Sequence, residues 1–67
     1  MITISVNGEK RLIETASTLA DLLQQLALEG KRIAVELNHE IISRSVFAET
    51  QLHHDDTVEI VHAIGGG

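Results

Sequence analysis

Apolar and polar residues alternate from the second position onward, with Ile2, Ile4 and Val6 separated by Thr3, Ser5 and Asn7. A period of two puts the three β-branched side chains on one face of a strand. Asn7-Gly8 follows, a pair that tolerates positive φ at both centres of a type I′ turn, so a second strand is predicted over Lys10 to Glu14. After Thr15 the period changes. Leu19, Leu22, Leu23 and Leu26 fall at helical spacing and form one apolar stripe. Thr18 and Asp21 have the spacing of a capping box, and Gly30 suits the stop, because glycine reaches the left-handed conformation without a Cβ clash. The pattern predicts one helix of about three turns.

Alternation returns with Ile33, Val35 and Leu37 on one face and Ala34, Glu36 and Asn38 on the other. Asn38-His39 then reads as a turn and Ile41-Ile42 as a short strand. Ser43 to His54 is irregular; a helical turn around Ser45 to Ala48 is expected there, with Phe47 and Leu52 anchored in the core. Asp55-Asp56 signals a turn, and Thr57 to Ala63 reads as the last strand with Val58 and Ile60 inward. Hairpins flanking a single helix predict an α+β fold, a mixed sheet of about five strands with the leucine stripe covering one face. This order resembles the β-grasp, or ubiquitin-like, fold. The expected division is a β-grasp domain over residues 1–63 and a flexible C-terminal tail over 64–67.

Composition narrows the function. A chain of 67 residues forms one small domain. Domains of that size bury only about 60% of the surface their unfolded chains expose, which leaves few residues to line a deep catalytic pocket. Phe47 is the only aromatic residue, which suits an aliphatic core and not base stacking. Lys and Arg total 5 against 10 Asp and Glu, a formal charge of -5, so nucleic acids and anionic membranes are repelled and a basic protein surface is favoured. Cysteine is absent, which removes disulfides, thiol nucleophiles and thiolate metal sites. His39, His53, His54 and His62 show no metal-ligand spacing and read as surface histidines; neither a metal nor a bound cofactor is expected. No nucleophile comes with a base and an orienting third group. Met1-Ile2-Thr3-Ile4 has no basic, then apolar, leader pattern, and nowhere do about 18 apolar residues run together, so a cytoplasmic location is expected.

The remaining feature is Gly65-Gly66-Gly67. Glycine has no side chain to bury and loses the most backbone entropy on ordering, so the segment suits passage through a narrow channel better than packing. A carboxylate at Gly67 is inert toward nucleophiles because its charge is shared by two oxygens. Adenylation with ATP activates it, and a sulfur donor can then displace AMP to leave a thiocarboxylate, a sulfur nucleophile made without cysteine.

The glycines follow Val58-Glu59-Ile60-Val61-His62-Ala63-Ile64 directly. With that block, Ile33-Ala34-Val35-Glu36-Leu37-Asn38 and Ala48-Glu49-Thr50, the chain resembles the ThiS family, the sulfur carriers of thiamine thiazole biosynthesis, over essentially its whole length. The resemblance implies adenylation at Gly67 by a ThiF-type enzyme, conversion to a thiocarboxylate with sulfur from a cysteine desulfurase system, and use by the thiazole synthase ThiG. It assigns channel threading to Gly65 and Gly66. It also supports a docking surface of Val61, Ala63 and Ile64 with Glu59, joined by Glu36 if its strand lies beside the last one. The family often has glycine after the turn asparagine and proline after the paired apolar residues, where this chain has His39 and Ser43. Three alternatives share the fold: a MoaD-like carrier for molybdopterin, a ubiquitin-like protein modifier, and an interaction module without tail chemistry.

Overall fold

In the computed structural model, which describes residues 1–62, the chain runs through β1 (Ile2–Val6), β2 (Glu9–Ile13), α1 (Leu19–Gln25), β3 (Ile33–Leu37), β4 (Glu40–Ile42), a 3-10 helix (Arg44–Glu49) and β5 (Thr57–His62). The five strands form one sheet in the order β2-β1-β5-β3-β4. Both hairpins are antiparallel, β5 runs parallel to β1, and it runs antiparallel to β3. The last strand therefore enters the middle of the sheet, between the two hairpins. Central strands bury their inward face best, and Val58 and Val35 are fully buried there.

The inward face packs against the leucine stripe. Ile4, Val6, Ile13, Leu19, Leu22, Leu23, Phe47, Leu52 and Ile60 complete the buried core, while Ile2, Leu26, Ile33 and Leu37 pack against it half-buried. Thr18 closes the predicted capping box: its hydroxyl accepts from Asp21 N at 3.2 Å, and the Asp21 carboxylate accepts from Thr18 N at 2.9 Å. The Asn7-Gly8 turn has the expected positive φ, 50° and 86°, and the Asn38-His39 turn has it too, 50° and 71°. His39 thus occupies the glycine-like position itself.

The helix is shorter than its leucine spacing predicts. α1 has 7 residues, about two turns, and ends at the C-cap Leu26, not at Gly30. Ala27 takes φ 59°. Its N–H donates to Gln24 O at 3.1 Å and Leu28 N donates to Leu23 O at 2.8 Å, the bond pair of a Schellman stop. A continued helix would point Leu28 away from the stripe; the stop instead turns it onto the core. Gly30, at φ 77°, belongs to the following turn, in which Lys31 N donates to Leu28 O at 3.1 Å.

Smaller shifts have equally local causes. β2 spans Glu9–Ile13 and not Lys10 to Glu14, because the two-residue Asn7-Gly8 loop sets Glu9 opposite Val6. The 3-10 helix extends one residue beyond the predicted turn at each end, and the Ser43 hydroxyl caps it by accepting from Ser45 N at 3.4 Å. Ser43 has φ -68°, the value a proline ring would impose, so serine fits this backbone without strain. Of the predicted last strand, Ala63 lies outside the described residues, as does the boundary expected between residues 63 and 64.

Candidate functional site

The candidate site is the strand that leads into the glycines, together with the sheet face it shares. β5 is anchored by the asparagines of the two turns. At its start, Asn38 N donates to Thr57 O at 2.8 Å and the Asn38 side-chain oxygen accepts from Thr57 N at 2.9 Å. The remaining Asn38 amide donates to Asp56 at 3.0 Å, and Asp56 in turn accepts from His53 N at 2.7 Å. From the opposite edge, Asn7 N donates to Val58 O at 2.9 Å and the Asn7 carboxamide bonds both backbone polar groups of Ile60.

α1 covers one face of the sheet, and among the described residues no element covers the other. On β5 the alternation that buries Val58 and Ile60 sends Glu59 and Val61 outward, Val61 at 60% exposure. Cross-strand register sets Glu36 opposite Glu59 and Ala34 opposite Val61. On the far side of β3, Glu36 is paired with Ile41, which is 78% exposed. Glu36, Glu59 and Val61 therefore lie together on one surface. Ala63, Ile64, Gly65, Gly66 and Gly67 lie outside the described residues.

Ile41 is the member of this surface that alternation alone did not single out; pairing of its strand with β3 brings it there. The bracketing roles of Asn7 and Asn38 were also missed, since turn residues are read for backbone conformation and their side-chain partners lie far along the chain. His54 is more than a surface histidine: Nδ1 accepts from Thr3 N at 3.1 Å. Among the described residues no group of His, Cys, Asp and Glu is placed to hold a metal ion. No described helix is long and apolar enough to cross a membrane.

One helix packed on a mixed five-stranded sheet, with the last strand central and parallel to the first, is a β-grasp domain. Within that class the chain belongs to the ThiS family, whose sequence profile matches residues 3–67. It is 46% identical over 65 residues to the sulfur carrier protein ThiS of Bacillus subtilis, covering 96% of this chain and 98% of that protein. It is 41% identical over 64 residues to a thiazole synthase of Magnetococcus marinus, covering 96% of this chain but 20% of the relative. The chain thus spans about a fifth of the length of the thiazole synthases it matches. The crystal structure of a thiamine biosynthesis protein, ThiS, from Geobacter metallireducens superposes with a TM-score of 0.86 at 29% identity, covering 98% of this chain and 100% of that one.

Proposed function

We propose that this chain is a sulfur carrier for thiazole formation in thiamine biosynthesis, loaded at the carboxyl of Gly67. The observation that carries the reading is its likeness to the Bacillus subtilis sulfur carrier along nearly the full length of both chains. In the proposed cycle a ThiF-type enzyme uses ATP to join the Gly67 carboxylate to AMP, releasing pyrophosphate. A persulfide from a cysteine desulfurase system displaces AMP to give an acyl disulfide. A thiol reductant cleaves its S–S bond and leaves as the mixed disulfide with the donor, and the thiocarboxylate so released donates its sulfur to thiazole formation by ThiG. The chain acts as a cosubstrate in the cytoplasm, consumed and regenerated, with no catalytic residue or cofactor of its own. Gly65 and Gly66 form the slender arm that threads a partner's channel.

Partnership with ThiG is supported by the thiazole synthases that contain a region similar to this chain. Docking is assigned to the open face, with Val61, Ala63 and Ile64 as apolar contacts and Glu59 and Glu36 meeting cationic groups. Incubation with a ThiF-type enzyme, ATP and a sulfur source should raise the intact mass by the difference between sulfur and oxygen. A chain lacking Gly67 should fold normally and show no gain. Absence of the gain in the unaltered chain would overturn the reading, and lysine-linked conjugates in its place would mark a protein modifier.

A further inference from the structure

β1 leaves β5 before β5 ends. Ser5 pairs with Thr57 and Val6 with Val58, and the chain then turns away at Asn7-Gly8 into β2. The next backbone groups on that edge of β5 belong to Ile60, whose residue is buried. Without a partner they would be left unpaired at the border of the core, which is costly. The Asn7 side chain supplies both partners: Oδ1 accepts from Ile60 N at 2.7 Å and Nδ2 donates to Ile60 O at 3.1 Å. A carboxamide carries the donor and acceptor of a peptide group, so it adds one rung to the parallel ladder without a further strand residue. On the opposite edge, pairing with β3 continues as far as His62 opposite Ile33. Ile60 is thus the last residue of β5 held from both sides.

Turn geometry alone does not demand asparagine. At φ 50° Asn, Asp and Gly are all tolerated. Only asparagine both accepts from Ile60 N and donates to Ile60 O: an aspartate would set its charge against the carbonyl, and glycine would offer nothing.

We propose that Asn7 is a positioning residue for the carrier tail, its carboxamide fixing the β1-side edge of β5 at Ile60 so that the strand leading to the tail meets a partner in one position. The inference rests on the reading that Gly67 is the loaded residue. Loss of the bracket leaves the end of β5 held from the β3 side alone, and a partner must then restrict the added motion on binding. Such a loss weakens productive docking without touching the reacting carboxyl, so it belongs in KM and not in kcat.

The test uses the full chain with Asn7→Gly and Asn7→Asp, both compatible with the turn. Hydrogen exchange at the Ile60 amide should be about tenfold faster in Asn7→Gly than in the unaltered chain, after correction for any change at Val35 in the core. In loading by a ThiF-type enzyme, both variants should raise KM for the carrier about tenfold and leave kcat within about twofold. Unchanged Ile60 exchange and KM, or a fall in kcat at constant KM, would overturn the proposal. So would failure of both variants to fold, which would make Asn7 a purely structural residue. Failure of the unaltered chain to load would remove the carrier reading and this inference with it, whereas loading with unaltered KM in the variants removes only the inference.

Discussion

Glu36 of β3 and Glu59 of β5 stand directly opposite each other on the open face of the sheet. Neither carboxylate forms an ion pair among the described residues. Like charges directly opposite on neighbouring strands destabilise a sheet. This arrangement is unfavourable for the isolated domain and favourable for one that meets cations on a partner.

Reversing one charge separates those effects. Glu59→Lys should stabilise the free domain by about 0.5 kcal/mol, read as a rise in thermal midpoint. The same change should weaken association with the activating enzyme about tenfold, measured by calorimetry at low salt. In the double variant Glu36→Lys with Glu59→Lys the repulsion returns, so the midpoint should fall back while binding stays weak. Binding that survives the reversal would show that these carboxylates do not face the partner.

Val61 is 60% exposed beside that pair and contributes little to the core. Val61→Asp should therefore leave the fold intact at a cost of about 1 kcal/mol in a denaturant titration, the span of strand propensity. It should still lower affinity for both the ThiF-type enzyme and ThiG. Unchanged binding to the two partners would remove the open face as the docking surface.

Leu22 is 1% exposed at the centre of the leucine stripe. Truncation of such a side chain costs about 2–5 kcal/mol, while a core of this size supplies only about 3–5 kcal/mol in total. Leu22→Ala should leave much of the chain unfolded at room temperature, visible as lost helical circular dichroism. A cooperative transition close to that of the unaltered chain would show that the stripe is not the main source of stability.

Ala27 holds φ 59° at the helix stop with no glycine to ease it. Ala27→Gly relieves the Cβ clash and should raise stability by about 0.5–1 kcal/mol, with loading kinetics unchanged. A loss of stability would mean that the greater freedom of glycine in the unfolded chain outweighs the relief.

Where residues close together in the chain decide the outcome, the elements were legible. Alternation found the strands, the leucine spacing found the helix, and Asn7-Gly8 announced its positive φ, because each signal acts within a few residues. The helix end was misread for the same reason: glycine is the commonest stop, but here an Ala27 turn that seats Leu28 on the core ends it first. Glu36 was placed on the docking face only on condition that its strand adjoined the last one, and register meets that condition.

By itself the sequence determined the elements, the inward residues Val58 and Ile60, and the family resemblance that points to Gly67. Tertiary structure decided that β5 enters between β1 and β3, that Ile41 joins the open face, and that Asn7 brackets Ile60 across a separation of 53 residues. Periodicity shows which face of a strand is buried but not which neighbour it will have. Neighbours are chosen when the whole chain buries its apolar faces at once and the backbone groups left at the strand edges find their partners.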